Sequence, residues 1–446
     1  MKNTRFTVLL IVTALFSSCS GNSWFGGTKK LDMPGERVSV SAKSKDLAIM
    51  DKNNVVQFTG SPQVNHQWNG WYNQFNSKTA NLHWDEKSLV KSIAYSTSTS
   101  LIQPALPVID GNAIFVISSD DGSISAYDTT NQQRLWKNDF FCNELSGGMF
   151  TLQNDKFFSG GMYKDGSTLY ASIGLSKVVA INSNDGQTLW NAEFNSPVRS
   201  IPLVVGDAVI FQSIDNKVFA LNRKNGANIW SYSSTNDDVS MLTSPSLLAM
   251  NNMIIVKFTN DEIVALDKKN GEELWSNNLF NKQEFGLVNR TGFNVSNAFF
   301  VEDNHIITIN SDGYVFKIDA LSGNTMWSKN LGATGKGWLN NKIFYFISSN
   351  NDLIAYNTAT ISPIWLQSLN IKDSDGKSIP DLYWSNPVIA NNYIYIASNN
   401  GKLMKISPKD GSVAQETAIS SDVYLGPIFA GGSMYIITNS GNLDKY

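Results

Sequence analysis

Cysteine and histidine are scarce in this sequence. Its 446 residues include 2 cysteines, Cys19 and Cys142, and 3 histidines, His66, His83 and His305. Two thiols do not build the disulfide framework of a small secreted scaffold, and the histidines lack the close spacing of zinc ligands. Cys142 is interpreted as a small apolar packing residue rather than as a nucleophile. The sequence therefore predicts no metal site and no disulfide-dependent fold.

An excess of positive charge is also missing. The 35 lysines and arginines are outnumbered by 38 aspartates and glutamates, and no basic run concentrates positive potential. We therefore expect no nucleic-acid partner.

Motifs of common enzyme classes are equally absent. The sequence has neither the G-x-S-x-G elbow of serine hydrolases nor the G-x-x-x-x-G-K-[ST] phosphate loop. Carboxylates such as Asp120, Asp121, Asp312 and Asp410 follow turn patterns, in which the side chain bonds its own backbone. We therefore expect a protein without catalytic residues and without a cofactor.

No hydrophobic run is long enough to span a bilayer. The N-terminal run, Phe6–Phe16, has eleven residues and follows two basic ones, which is typical of a secretory signal and short of the roughly 20 residues of a transmembrane helix. The "FSSC" segment ending at Cys19 resembles a bacterial lipoprotein signal, with ordinary secretion as the alternative. That resemblance implies lipidation of Cys19, and the following Ser20 implies an outer-membrane anchor with the body facing the periplasm. We predict a signal peptide at 1–18, a tether at 19–45 and a folded body at 46–446.

A segment ending in tryptophan recurs along the chain. Two examples are "VAINSNDGQTLW" and "VALDKKNGEELW", and four short β-rich runs separated by Asn-Gly or Asp-Gly turns make up each unit. In the final such segment, "MKISPKDGSVAQ", Ala414 is assigned to the tryptophan position. The recurring residues, about 47 positions apart, are Trp84, Trp136, Trp190, Trp230, Trp275, Trp327 and Trp365.

This period predicts an all-β fold, an eight-bladed β-propeller of four-stranded antiparallel blades. The last unit supplies three strands before Tyr446, and Trp84 has no three strands in front of it. We therefore expect an N-terminal strand within Leu82–Val90 to complete the C-terminal blade and close the ring, which removes exposed sheet edges. Each tryptophan would seal the contact with a neighbouring blade rather than form a ligand cage.

The pattern A-[LIY]-[DN]-x4-G-x3-W resembles the repeat of pyrroloquinoline-quinone-type propellers. One branch of these contains periplasmic quinoprotein dehydrogenases. Another is the BamB family, lipoprotein subunits of the β-barrel assembly (BAM) complex of the outer membrane. With its lipoprotein-like signal and a short linker containing "MPGERVSV", the chain resembles the BamB family over nearly its whole length. That resemblance implies a non-catalytic scaffold that contacts BamA, other BAM subunits and unfolded β-barrel clients.

The resemblance also implies contact residues in two blade-joining loops that bind POTRA domains of BamA. In the first loop, Val198 and Arg199 match the family's apolar residues followed by an arginine, and Pro197 stands near an aliphatic position. The second loop matches in kind but not in register, because its acidic pair comes early and apolar residues precede Thr243. Its candidates are Asp237, Asp238, Met241 and Leu242.

Two alternatives remain open. A quinone-dependent periplasmic dehydrogenase would fit the repeat, although adjacent cysteines are absent, the chain is short for that class, and neither Trp338 nor Trp384 lies in a recognisable cofactor floor. A propeller that binds envelope glycans would use aromatic residues clustered on a loop face, such as Tyr383 and Trp384. Fold alone does not separate these functions.

Overall fold

Four-stranded antiparallel sheets are the repeating unit of the structure. The computed structural model describes residues 60–70, 81–87, 89, 91–94, 105–118, 122–140, 160–173, 176–234, 246–258, 260–279, 298–371, 376–377, 379, 382–419 and 423–446. Within these ranges the regular secondary structure is entirely β, and the strands form eight sheets. The fold is the eight-bladed β-propeller that the repeat predicts.

The strands follow one another blade by blade. Two short strands come first, β1 (Gln67–Trp68) and β2 (Lys91–Ala94). Blade 1 contains β3 (Val108–Asp110), β4 (Ala113–Ile117), β5 (Ile124–Asp128) and β6 (Arg134–Asn138), and blade 2 contains β7 (Met162–Asp165), β8 (Thr168–Ile173), β9 (Lys177–Asn182) and β10 (Thr188–Glu193). Blade 3 contains β11 (Leu203–Val205), β12 (Ala208–Gln212), β13 (Lys217–Asn222) and β14 (Asn228–Ser233). Blade 4 contains β15 (Ser246–Met250), β16 (Met253–Lys257), β17 (Glu262–Asp267) and β18 (Glu273–Asn278).

The second half repeats this arrangement. Blade 5 contains β19 (Phe300–Glu302), β20 (His305–Ile309), β21 (Tyr314–Asp319) and β22 (Thr325–Asn330), and blade 6 contains β23 (Ala333–Asn340), β24 (Ile343–Ser348), β25 (Asp352–Asn357) and β26 (Ser362–Ser368). Blade 7 contains β27 (Val388–Ala390), β28 (Tyr393–Ala397), β29 (Lys402–Ile406) and β30 (Val413–Ala418). Blade 8 contains β31 (Val423–Ala430), β32 (Ser433–Thr438) and β33 (Asn442–Lys445). Blade 1 gains a fifth strand because β1 pairs with β3.

The middle strands of each blade form the core. In blade 4, β16 reads "MIIVK" and every residue is buried, while β17 reads "EIVALD" and its four central residues are buried. Such strands read as nearly continuous apolar runs because both faces of the sheet pack against neighbouring blades. The fourth strand β18, "ELWSNN", alternates between exposed and partly buried residues and forms the outer edge.

A bulge just before each tryptophan turns its ring toward the next blade. In blade 3, Ala220 pairs with Trp230 but Leu221 pairs with Asn228, so Ile229 is the extra residue. Ile229 is 45% exposed whereas Trp230 is 6% exposed. A bulge places two residues opposite one and re-aims the side chains that follow, so it accounts for an exposed aliphatic residue next to a buried indole.

Five indoles lie against a glycine in the third hairpin of the next blade. A Cβ at Gly271 would lie 2.5 Å from Trp230 Cε3, and its φ of +74° also favours glycine. The Trp230 Nε1–H donates to the Lys268 carbonyl at 3.2 Å, within the same hairpin. The pairs are Trp136–Gly186, Trp190–Gly226, Trp230–Gly271, Trp275–Gly323 and Trp365–Gly411. The glycine of the repeat thus exists for close approach as well as for the turn.

Ile361 occupies the glycine position in blade 6, opposite Trp327. Its φ is +56°, although it is a β-branched residue, and it is 39% exposed. This left-handed backbone conformation is unfavourable by roughly 1–2 kcal/mol for a residue with a side chain. Glycine avoids that cost but lowers the stability by about 0.5–1 kcal/mol, because its unfolded chain has more conformational entropy. We expect Ile361→Gly to raise the free energy of unfolding by up to about 1 kcal/mol, measured by urea denaturation.

The matched control for this prediction is Ile361→Ala, which shortens the side chain and keeps the backbone penalty. Ile361→Ala should leave the free energy of unfolding unchanged or lower it slightly. Equal stabilisation by both variants would show that side-chain crowding, and not backbone strain, is what the glycine relieves.

The ring closes at a different strand from the one predicted. The fourth strand of blade 8 is β2, in which Ala94 pairs with Asn442 of β33, rather than a strand within Leu82–Val90. Leu82 instead makes isolated parallel bridges to Gln63 and Ala390. The closing strand therefore starts just beyond the predicted interval, and the architecture is otherwise as expected.

The structure also changes two residues assigned to the tryptophan position of the repeat, Trp84 and Ala414. Trp84 lies outside a fourth strand: its ring contacts Tyr395 and Phe429 at 5.3 and 5.7 Å between centroids. In blade 7, the residue opposite Lys405 is Gln415, so Gln415 rather than Ala414 occupies the tryptophan position. Gln415 lies four residues after Gly411, the distance that separates glycine and tryptophan in blades 2 to 5, and Ala414 takes the bulge position. The other six tryptophans, Trp136, Trp190, Trp230, Trp275, Trp327 and Trp365, lie on fourth strands.

Candidate functional site

The two ends of the propeller carry different connections. Because each blade consists of four consecutive antiparallel strands, the loops that join blades emerge at one end together with the turns between second and third strands. We call this end the joining rim, and the opposite end, with the other two hairpins, the hairpin rim. The predicted partner residues of the first loop, Pro197, Val198 and Arg199, belong to the joining rim. Loops held on such a rigid scaffold are common binding surfaces.

The first predicted loop follows β10, and part of it is buried. Val198 is fully buried and bridges to Ser213, and Arg199 is 6% exposed. Burial lowers the pKa of the Arg199 guanidinium. The solvent-facing part of the loop is Asn195, with Ser196 and Pro197 partly exposed. Val198 and Arg199 therefore support the loop from within, and their predicted contact with a partner stays a prediction.

The second predicted loop falls between Ser234 and Ser246. Its candidates, Asp237, Asp238, Met241 and Leu242, lie outside the described residues, as do Cys19, Cys142, Asp120 and Asp121.

Beneath the first loop lies a chain of buried polar contacts. The Ser172 hydroxyl donates to the Ser200 carbonyl at 2.9 Å, and the Ser200 hydroxyl accepts the backbone N–H of Gln212 at 2.8 Å. Gln212 Nε2 donates to the Lys257 carbonyl at 3.2 Å. These bonds link blades 2, 3 and 4 in succession at the joining rim. They hold the base of the loop that carries Pro197.

Lys257 continues this chain into blade 5. Its ammonium, fully buried, donates to the Ile309 carbonyl at 2.5 Å and lies 3.4 Å from Asp261. Asp261 in turn accepts the Ser311 amide N–H at 2.9 Å. Burial lowers the pKa of Lys257, and Asp261 opposes that effect by stabilising the charged form. A buried lysine of this kind needs both a carboxylate and a carbonyl partner.

Sequence reasoning missed this inter-blade cluster of Ser172, Ser200, Gln212, Lys257, Asp261 and Ser311. The one available signal was Lys257 itself, which ends the apolar run "MIIVK" of β16. A lysine after such a run is as easily interpreted as a solvated strand end. Its role becomes visible once Ile309 from the next blade is placed beside it.

The residues considered for chemistry have structural surroundings. Trp384 is 1% exposed and donates its indole N–H to the Leu369 carbonyl at 3.1 Å, and Trp338 is 4% exposed. The glycan alternative expected an exposed Trp384 ring on a loop face, and the burial of that ring corrects the expectation. Tyr383 is partly exposed. Asp410 accepts the Ser412 amide N–H at 3.0 Å, and the Ser412 bonds lower the pKa of its carboxyl group.

Metal ligands and membrane-spanning helices are likewise not found among the described residues. No group of three histidine, cysteine, aspartate or glutamate side chains in these ranges converges as a metal site would require. No helix in the same part of the chain has the length and apolar character needed to cross a membrane.

Comparison with known proteins finds a matching family model and relatives that carry the same description. A family model described as outer membrane protein assembly factor BamB matches residues 120–367, more than half of the sequence. A relative with that name from Moranella endobia is 22% identical over 342 residues, covering 76% of this chain and 83% of its own. The family-model match runs from blade 1 into blade 6 and includes the loop with Pro197.

Solved structures share the propeller fold across two functional classes. BamB from Moraxella catarrhalis superposes with a TM-score of 0.61 at 19% identity, covering 80% of this chain and 98% of that one. A quinohemoprotein alcohol dehydrogenase from Comamonas testosteroni superposes with a TM-score of 0.58 at 12% identity, covering 82% and 78%. At such identities the structural likeness shows the fold alone. Because the family model spans more than half of the sequence, the chain belongs to the outer membrane protein assembly factor BamB family.

Proposed function

We propose that this protein is a non-catalytic scaffold subunit of the outer-membrane β-barrel assembly complex. The observation that carries the proposal is the family match over residues 120–367, which contains the joining-rim loop after β10. In this role the propeller binds POTRA domains of BamA, associates with other BAM subunits and assists the folding and insertion of unfolded β-barrel clients. It uses neither a cofactor nor a metal ion.

The proposed location follows from the N-terminal signal. Removal of a signal peptide at 1–18 leaves Cys19 as the lipidated first residue, and the 19–45 segment tethers the 46–446 propeller to the outer membrane. The propeller then faces the periplasm, where the POTRA domains of BamA are located. A flexible tether of this length allows the rim to reach a partner near the membrane surface.

The burial of Val198 and Arg199 refines the proposed contact. Asn195, Ser196 and Pro197 form the surface that meets BamA, while Val198, paired with Ser213, and the buried Arg199 hold the loop from within. Asp237, Asp238, Met241 and Leu242 extend this surface from the second loop. A loop fixed in this way loses little entropy on binding, which favours affinity.

The test is the affinity of the mature chain for the POTRA region of BamA from the same organism. We expect Pro197→Glu, which places a charge on the loop surface, to weaken binding at least tenfold, equivalent to about 1.4 kcal/mol. The matched control is Ala227→Glu, which adds the same charge at an exposed position on the hairpin rim of blade 3. That control should leave the affinity unchanged, and thermal denaturation should show both variants folded.

Other outcomes decide against parts of the proposal. Equal effects of Pro197→Glu and Ala227→Glu would move the interface away from this loop. A folded chain that does not bind the POTRA region would overturn the BamA docking. Absorption changes on adding pyrroloquinoline quinone with Ca²⁺ would contradict the non-catalytic assignment and support a dehydrogenase.

A further inference from the structure

A cavity lies at the seam between blades 7 and 8. It has a volume of about 550 Å³, and its walls come from blade 7, blade 8 and the segment before β2. We call it the seam cavity. Its apolar lining includes Trp84, Tyr395, Leu403, Met434 and Tyr446, and its polar lining includes Glu86, Lys405, Gln415 and Thr417. A space of this size with a few convergent polar groups is typical of a ligand site.

The cavity exists because the ring is closed by two distant parts of the chain. At five other seams a fourth-strand indole lies against the hairpin that joins the third and fourth strands of the next blade. In blade 8 these strands are β33 and β2, which no hairpin connects. The platform that receives an indole at the other seams is therefore missing here. Blade 7 correspondingly carries an exposed Gln415 in place of a tryptophan.

The wall that an indole contacts is nevertheless retained on the blade 7 side. In blade 6, Trp365 packs beside Tyr345 with 5.8 Å between ring centroids. In blade 6, Tyr345 pairs across the sheet with Ala355, and Ala355 pairs with Trp365. The residues that pair in the same way in blade 7 are Tyr395, Lys405 and Gln415. Tyr395 thus corresponds to the tyrosine that receives an indole in blade 6.

The segment before β2 covers part of this wall. Trp84 meets Tyr395 edge-on, and its backbone carbonyl accepts the Asn391 side-chain amide at 2.6 Å. The Glu86 carboxylate accepts the Lys405 ammonium at 2.8 Å and the Tyr395 hydroxyl at 3.1 Å. These contacts hold Trp84 and Glu86 as one side of the cavity and leave the space beside Gln415 and Thr417 open.

The outer edge of the cavity is β30. All six of its residues are exposed, whereas β10 and β14 each bury their tryptophan. The edge of a sheet is a template for another extended strand, with main-chain hydrogen bonds for affinity and a side-chain pocket for specificity. The pocket beside β30 is the seam cavity.

We propose that the seam cavity binds a tryptophan side chain presented by an extended segment of a partner protein that lies along β30. The occupant is inferred from the molecule's own seams, where a strand bearing a tryptophan fills the corresponding space five times. The flat ring would stack within the apolar walls formed by Tyr395, Leu403 and Met434, with Gln415 and Thr417 at its polar edge. This site involves blades 7 and 8 and is independent of BamA docking through the loop of blades 2 and 3.

The probe is a capped peptide with the sequence of β14, Asn228–Ser233, labelled with a fluorophore, and the same peptide carrying Trp230→Ala. We expect fluorescence anisotropy with the mature chain to show saturable binding of the tryptophan peptide and at least tenfold weaker binding of the alanine peptide. Gln415→Trp lets the protein fill the cavity with its own indole. That variant should bind the tryptophan peptide at least tenfold more weakly than the wild type.

A second blocking variant keeps the test decisive if Gln415→Trp does not fold. Thr417→Arg places a long side chain in the cavity from an exposed position on the same strand, and it should also weaken binding. The control is Glu416→Gln, the intervening exposed residue, which does not line the cavity and should leave binding unchanged. The proposal is overturned if the folded wild type does not bind the tryptophan peptide, if both peptides bind equally, or if a folded blocking variant binds as the wild type does. POTRA affinity, measured in parallel, should stay unchanged in both blocking variants.

Discussion

Trp230→Ala is expected to lower the free energy of unfolding by about 3–5 kcal/mol, the cost typical of deleting a buried aromatic side chain. The indole is 6% exposed and donates to the Lys268 carbonyl of blade 4. Its removal leaves a void against Gly271, which has no side chain to fill it. The loss includes the apolar area buried between two blades and an unpaired carbonyl. The measurement is equilibrium urea denaturation at neutral pH.

The matched control is the preceding residue. Ile229→Ala changes an aliphatic side chain that is 45% exposed at the bulge, so the free energy of unfolding should stay within about 0.5 kcal/mol. A Trp230→Ala midpoint equal to that of the wild type, with an unchanged denaturant slope, would contradict the role of the indole as a seal between blades 3 and 4.

The second large effect is expected for Asp261→Ala, at about 3–5 kcal/mol of lost stability, because it removes one partner of a buried ion pair. Lys257 remains with the Ile309 carbonyl and no carboxylate, and the Ser311 amide N–H loses its acceptor. Burial already lowers the pKa of Lys257, and removal of Asp261 lowers it further. Denaturation with urea at neutral pH measures the loss.

A comparison of ion pairs checks the physical reason. Glu416 pairs with Lys402 at 3.3 Å, with the two side chains 49% and 37% exposed, so Glu416→Gln should cost no more than about 1 kcal/mol. The double variant Lys257→Met with Asp261→Ala removes both charges and should recover part of the stability lost in Asp261→Ala. Comparable losses for Asp261→Ala and Glu416→Gln would show that burial adds nothing to the inter-blade pair.

The repeat predicted the fold because its features are local. Asn-Gly and Asp-Gly turns, apolar second and third strands and a tryptophan at a fixed distance from a glycine all recur within about 47 residues. These features determine where each strand begins and which side chains are buried. The blade count followed from the same spacing, including the incomplete last unit. In blade 1, Gln132 occupies the glycine position with a φ of +59°. A side chain is tolerated at this position because the preceding blade 8 presents no fourth-strand tryptophan to the hairpin.

The errors arose where distant parts of the chain meet. Trp84 looked like a member of the tryptophan series, yet its contacts are with Tyr395 and Phe429, more than 300 positions away. Arg199 matched a family loop pattern, but its burial depends on how that loop folds back onto blade 3. Such features are properties of packing between blades, not of the repeat.

The closure of blade 8 also bears on the kinetics of folding. Ala94 and Asn442 are 348 positions apart in sequence, yet they pair in neighbouring strands. During synthesis β2 emerges before blade 1 is complete and its partner β33 emerges after all the others, so the contact with the largest loop-closure entropy forms last. Until then β33 has a free edge and the ring remains an open arc, a species prone to pairing with other chains. The pairing of β2 with β33 in blade 8 is accordingly where amide hydrogen exchange of the native protein should be fastest among the regular strands.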